Sequence, residues 1–160
     1  MTASSETRNP PYAAYAGIMG TFAGGLAAAS LLARLLGREP RGDSALDLTV
    51  LSVATFKAAR TIARDDVTSF LRNPFVEGEA GTGDEEEPKE TGDLQQAIGE
   101  LVTCSRCIGT WCAAGLASTQ MIAPRYGRLL TWSLAAAGLN DWLQAGFAAL
   151  TAKANELGDD

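Results

Sequence analysis

The sequence contains no histidine, and only three of its 160 residues are cysteine. Without histidine there is no Ser-His-Asp triad and no histidine-ligated metal site. Three cysteines are too few for a disulfide scaffold, or for a four-ligand structural zinc site within one chain. Charged residues make up 20% of the chain, below the roughly 25% of an average soluble domain.

A surplus of positive charge is also missing, since the net charge is −6. A basic nucleic-acid-binding domain is therefore excluded. Most of the negative charge lies in the segment 77–93, where eight acids accompany Lys89 as the one cation. This segment is rich in glycine and glutamate and cannot bury enough apolar surface to fold. It predicts a disordered, flexible acidic loop, which we interpret as a recruiting site for a protein partner.

The longest uncharged run covers residues 10–33 and is long enough to cross a hydrocarbon core of about 30 Å as a helix. Its small residues recur every fourth position, as at Gly17, Thr21 and Gly25. Rows of this kind let helices approach closely in lipid, so these three residues predict a helix-packing face and a possible homo-oligomer. The alternative is a buried, alanine-rich helix of a soluble bundle.

The hydrophobic pattern predicts an all-α protein, a small bundle of about four mostly transmembrane helices. We expect the main helices over residues 12–36, 45–64, 102–123 and 129–151, with a short helix leading in over 94–103. Residues 1–11 are expected to form a disordered tail, 12–151 the helical membrane domain, and 152–160 a polar C-terminal tail. An even number of spans places both termini on one side, and we expect them inside the bacterial cytoplasmic membrane.

Cys104 and Cys107 form a C-x-x-C pair, with Cys112 further along the same segment. Three interpretations stay open: small residues in tight packing, a redox pair, or part of a metal site in which Cys112 joins and a second chain completes the ligands. With the termini inside, the pair is expected to be reduced. No cofactor is expected.

Asp141 is the one charged residue within the last hydrophobic segment. An ionised carboxylate at membrane depth must pair or take up a proton. The candidate partners are Lys57 and Arg60 of the second helix, so the sequence predicts a buried ion pair. The alternative is that Asp141 lies at an interface or on a surface turn.

Several separate motifs, in order, resemble the family called domain of unknown function 1360, over residues 47–150. They are Thr55-Phe56-x-x-Ala59-Arg60, Arg64-Asp65-x-Val67-Thr68, Leu71-Arg72-x-Pro74-Phe75, Gly99-Glu100-Leu101-x-Thr103-Cys104-x-x-Cys107-x-Gly109-x-Trp111 and Asp141-Trp142. The resemblance implies a small integral membrane protein of bacterial or bacteriophage origin, with no assigned activity. Cys112 is not part of the motif.

These patterns favour a non-enzymatic membrane protein, a helical assembly component whose surroundings are the lipid bilayer. Two alternatives belong to other classes. One is a membrane thiol-disulfide oxidoreductase that uses the Cys104–Cys107 pair, although a second cysteine pair to pass electrons on is missing from the sequence. The other is a soluble helical structural protein.

Overall fold

A computed structural model of the chain describes residues 10–38, 44–78 and 86–158. Within these residues the fold is all-α, with one minimal pair of strands. A 3₁₀ turn at Asp66–Thr68 follows the second helix. The other elements are α1 (Tyr12–Leu35), α2 (Ala45–Arg64), α3 (Ser69–Arg72), β1 (Val76–Glu77), β2 (Glu87–Pro88), α4 (Leu94–Thr103), α5 (Ser105–Ile122) and α6 (Pro124–Gly158).

Local sequence explains where the helices begin. At α2, the Ser44 hydroxyl accepts the backbone N–H of Asp47, and the Asp47 carboxylate accepts the backbone N–H of Ser44. This reciprocal capping satisfies donors that a helix start otherwise leaves free. Asp93 caps α4 by accepting a backbone N–H of its first turn. Pro124 is the first residue of α6, where its missing N–H costs nothing and its fixed φ suits a helix.

Helix α2 lies in the middle of the bundle, with its main contacts to α6 and α5. Helix α6 runs parallel to α2, since Val53 and then Lys57 of α2 meet Gly138 and then Asp141 of α6. Helix α5 is antiparallel to both, and α1 packs beside it and α4. We call the end where α2 ends and α5 begins the motif end, and the opposite end, where α5 turns into α6, the basic end.

The core consists mainly of small side chains. Its central cluster is Ala54, Leu116 and Ala135, and most of the other buried apolar residues are alanine as well. Large apolar side chains point outward instead. The exposed ones on α1 and α6 include Met19, Leu26, Leu31, Leu35, Leu129, Trp132, Leu139, Trp142, Leu143, Phe147 and Leu150. A water-soluble bundle has the opposite arrangement, with its large apolar side chains inside.

Two glycines of α6 allow its close contacts. A Cβ placed on Gly138 would lie 3.1 Å from Val53 Cγ1, so any side chain there would push α2 away. A Cβ on Gly127 would lie 2.5 Å from the backbone of Gln120 in α5. A sharp turn can therefore join α5 to α6. Across this turn, Gln120 Nε2 donates a 2.8 Å hydrogen bond to the hydroxyl of Thr131, which is fully buried.

The structure contains the predicted helices, but the last helix of the chain has different limits from those predicted. Helix α6 begins at Pro124, where a tight connection was expected, and continues through residue 158 into the predicted polar tail. The prediction of disorder over 77–93 is wrong for residues 86–93, because β2 pairs with β1 and α4 is capped at Asp93. Residues 79–85, and residues 1–9 of the predicted N-terminal tail, lie outside the described residues.

One helix in the described part of the chain, α1, is long and apolar enough to cross a membrane. Its side chains are nearly all exposed rather than buried in the bundle. By length and apolar character, α1 is the one helix among the described residues that could span a membrane. The prediction of four mostly transmembrane helices is therefore not confirmed.

Candidate functional site

The motif end gathers residues that are far apart in the sequence. A Cβ on Gly99 would lie 2.6 Å from the Phe75 carbonyl oxygen, and a Cβ on Gly109 would lie 3.7 Å from Ala59 Cβ. The glycines of these motifs thus allow α4 and α5 to approach their neighbours. The motif residues form a contact network, and its polar members are the candidates for function.

Arg72 and Glu86 form a fully buried ion pair at the centre of this end. Arg72 Nε donates to Glu86 Oε2 at 2.6 Å, and a terminal guanidinium nitrogen donates to Oε1 at 3.1 Å. The two side chains are 0% and 1% exposed. This two-pronged geometry is the strong form of an arginine–carboxylate contact. The contact connects the end of the short helix α3 to the residue that directly precedes β2.

The remaining nitrogen of Arg72 closes the end of α2. It donates to the carbonyl oxygens of Ile62 at 2.8 Å and Asp65 at 3.1 Å, and to the Thr68 hydroxyl at 3.1 Å. The Thr68 hydroxyl in turn donates to Thr61 O. The last carbonyls of a helix have no partner within the helix, so Arg72 and Thr68 supply the missing donors.

The second ion pair joins α2 to α6. Lys57 Nζ lies 2.9 Å from Asp141 Oδ2 and 3.8 Å from Asp65 Oδ2. The structure brings together Lys57 and Asp141 of the sequence prediction, while Arg60 is exposed on the same helix. Side-chain exposures of 20% for Lys57 and 38% for Asp141 make the pair half-exposed. It lies near the level of the last turn of α2.

Aromatic side chains flank the bundle near the motif end. Phe56 and Trp142 meet edge to face with ring centres 5.9 Å apart, directly beside the Lys57–Asp141 contact in sequence. Phe22 of α1 and Trp111 of α5 make a similar contact at 5.1 Å. The Tyr15 hydroxyl donates to the Glu100 carboxylate, so α1 is attached to α4 and α5 by one polar and one aromatic contact.

Cys104 and Cys107 are joined by a disulfide bond. Cys104 is also the cap of α5, since its Sγ accepts the backbone N–H of Cys107 at 3.2 Å. The expected reduced state of the pair in cells is not tested by this contact and stays a prediction. Cys112 is free and half-buried, and the described residues contain no group of three side chains that could hold a metal ion.

The two glycines of the α1 row have open space in front of them among the described residues. A Cβ added to Gly17 or Gly25 would meet nothing within 4 Å. The Thr21 hydroxyl donates to the carbonyl of Gly17 in its own helix. The close contacts of glycines with a neighbouring helix in this fold include those of Gly127 and Gly138 on α6, and the role of the α1 row as a helix-packing face stays a prediction.

Glu86 is the site residue that sequence reasoning missed. It is one of eight acids in a segment read as disordered, and nothing in its local sequence sets it apart. The residue that could have indicated this ion pair from the sequence is its other member, Arg72. Arg72 is an isolated cation in the motif Leu71-Arg72-x-Pro74-Phe75, between two helices, where a buried arginine requires a carboxylate.

Comparison with known proteins places this network in a family. The family described as Protein of unknown function (DUF1360) matches residues 50–147. The chain belongs to this family. The family match includes the whole motif end from α2 to α6 but leaves out α1, so the Arg72–Glu86 and Lys57–Asp141 pairs both lie within the DUF1360 region.

Two relatives come from Bacillus subtilis (strain 168). Sporulation protein YjcA is 31% identical over 118 residues, which cover 62% of this chain and 95% of the relative. UPF0713 protein YngL is 27% identical over 95 residues, which cover 59% of this chain and 73% of the relative. No solved structure matches the chain significantly. These similarities offer no support for the oxidoreductase alternative.

Proposed function

We propose that this DUF1360 protein is an integral membrane protein with α1, α2, α5 and α6 in the bilayer, acting as a non-enzymatic assembly component. The observation that carries the proposal is the inverted packing, with alanine inside and large apolar side chains outside. Helices in lipid associate through small residues, because the bilayer solvates large apolar side chains as well as a protein core does. The relative YjcA, named a sporulation protein, is compatible with such a role.

The apolar surface of α6 has the length of a membrane span. Exposed large apolar side chains follow one another from Leu129 to Leu150, about 32 Å along a helix. A typical hydrocarbon core is about 30 Å thick. Helix α1 adds a second exposed apolar surface beside α5. The Lys57–Asp141 pair lies between α2 and α6, and each charge has the other as its partner, as ionisable groups at such depth require.

Membrane integration is tested by extraction of the full chain from expressing cells. The protein should stay in the membrane pellet after alkaline carbonate treatment and dissolve only in detergent. Release by carbonate or by high salt alone would contradict the proposal and favour the soluble structural alternative.

A pair of matched substitutions separates lipid exposure from water exposure. Leu26 of α1 and Leu157 near the end of α6 are 39% and 68% exposed. On a soluble protein, arginine is tolerated at both positions. In a membrane helix, Leu26→Arg places a charge at mid-span, which costs about 2.5–3.5 kcal/mol on insertion scales. We expect Leu26→Arg to reduce membrane accumulation and Leu157→Arg to leave it unchanged; equal accumulation of both would contradict the proposal.

For orientation we propose that the motif end and both termini face outward, opposite to the sequence expectation. The support is the Cys104–Cys107 disulfide at this end, because disulfides persist outside the cytoplasm and are reduced within it. In a Cys112→Ser background, Asn155→Cys should react with a membrane-impermeant maleimide in intact cells, and Tyr126→Cys should not. The reverse labelling would restore termini inside.

The partners stay predictions. The row Gly17, Thr21 and Gly25 has open space in front of it, which is compatible with the predicted homo-oligomer. The acidic segment remains the predicted recruiting site for a protein partner.

A further inference from the structure

At the basic end, a cavity opens where α1 finishes beside the turn from α5 to α6. Its volume is about 690 Å³, within the range of ligand pockets. Three arginines from two separate parts of the chain line it. Among the described residues, the lining consists of Arg38, Ala123, Pro124, Arg125, Tyr126 and Arg128.

The three arginines give this cavity a net positive charge within the described part of the chain, where the Asp47 carboxylate interacts electrostatically with Arg128. None of the three arginines forms an ion pair with a carboxylate there. Arg128 lies over the ring of Trp132, 5.4 Å from its centre, a contact that leaves the guanidinium N–H donors available. Asp47 at the same end is engaged by Ser44 in the cap of α2.

The chemistry of the lining selects one class of ligand. Guanidinium groups present a planar fork of donors that matches phosphate oxygens two at a time. The Tyr126 hydroxyl is a further donor at the rim. The cavity also adjoins the first turn of α6, where the helix dipole adds partial positive charge. Tyr126 and Trp132 are side chains typical of the membrane interface.

We propose that this cavity binds a phosphate group, carried by an anionic phospholipid headgroup or present as free phosphate. The lipid source rests on the proposed membrane function, because only then does the basic end lie at headgroup level. The free-phosphate source does not depend on it.

The test uses the full chain in detergent and three probes: phosphatidic acid, diacylglycerol with the same tails, and inorganic phosphate. Native mass spectrometry measures lipid retention, and calorimetry measures phosphate binding. Arg125→Gln and Arg128→Gln each remove a charged donor, and we expect about tenfold weaker binding for each. Arg34→Gln is the matched control, because Arg34 is an exposed arginine in the last turn of α1 that does not line the cavity.

Preferential retention of phosphatidic acid over diacylglycerol, lost in the two cavity variants and kept in the control, supports the lipid source. Binding of inorganic phosphate with the same loss supports the free source. Equal retention of both lipids without phosphate binding, or equal weakening by Arg34→Gln, overturns the proposal. A chain that extracts as a soluble protein refutes membrane integration only; the phosphate measurement then decides on the cavity.

Discussion

Removal of one partner of the Arg72–Glu86 pair tests whether this contact holds the motif end together. Arg72 makes five hydrogen bonds, two to Glu86 and three to Ile62 O, Asp65 O and the Thr68 hydroxyl. Glu86→Ala leaves a guanidinium that is 0% exposed without its counter-charge. Breaking a buried pair in this way costs on the order of 3–5 kcal/mol.

That loss corresponds to a fall in melting temperature of roughly 6–20 °C, at about 2–4 °C per kcal/mol for a chain of this size. Circular dichroism of the detergent-solubilised protein measures it. The melting temperature of Glu86→Gln should fall less than that of Glu86→Ala, because the amide oxygen can still accept a hydrogen bond from the guanidinium. The melting temperature of Arg72→Met should fall at least as far as that of Glu86→Ala, since this change also removes the guanidinium donor to the Ile62 and Asp65 carbonyls.

The matched control is Glu156→Ala. Its carboxylate lies 2.9 Å from Lys153, and both side chains are 68% exposed, so removal should change stability by less than about 0.5 kcal/mol. In the double variant Arg72→Met/Glu86→Ala, the loss should be clearly smaller than the sum of the two single losses. Equal melting temperatures for Glu86→Ala and Glu156→Ala, or strict additivity in the double variant, would refute the reasoning.

Three other perturbations have defined outcomes. Gly138→Leu should destabilise the α2–α6 contact by about 1–3 kcal/mol in thermal unfolding, and Gly146→Leu on the same helix, where a Cβ meets nothing within 4 Å, should not. Asp141→Asn should cost about 1.5–3 kcal/mol, the value of a hydrogen bond to a charged group, because Lys57 keeps the Asp65 carboxylate at 3.8 Å and the new amide can still accept a hydrogen bond; failure to fold would contradict this. Hydrogen bonds from the Thr91 hydroxyl and a backbone N–H of α4 hold the pKa of Asp93 below its ordinary value of 3.8. The stability gained from ionised Asp93 is therefore present above about pH 4 and lost as pH falls through the lowered pKa, and Asp93→Asn should flatten that part of the curve.

The sequence was sufficient to predict helices wherever local signals agree. The hydrophobic pattern predicted α1, α2 and α4 almost to the residue, because it is a property of neighbouring positions. The start of α6 was missed because the segment from Pro124 to Arg128 looks like a turn. It is helical because Pro124 is tolerated at the first position and Gly127 lets the backbone of Gln120 come close.

Contacts between distant residues were less predictable. Asp141 was assigned Lys57 or Arg60 as a partner because it is the one charge in the last hydrophobic segment, and the structure pairs it with Lys57. Glu86 had seven acidic neighbours in its segment, so no local rule distinguished it. The redox state of Cys104 and Cys107 is not a property of the local sequence, because it depends on the compartment in which the pair lies.

The contacts of Arg72 also have a consequence for the order in which the chain assembles during synthesis. Its partners lie only 4 to 14 residues away, so this cluster can close as soon as residue 86 has left the ribosome. The Lys57–Asp141 and Tyr15–Glu100 contacts span 84 and 85 residues. They must wait for later helices, because a chain emerges from its N-terminus and distant contacts form slowly. The motif end can thus be nucleated locally before α5 and α6 exist, and the later helices then dock against a surface that is already formed.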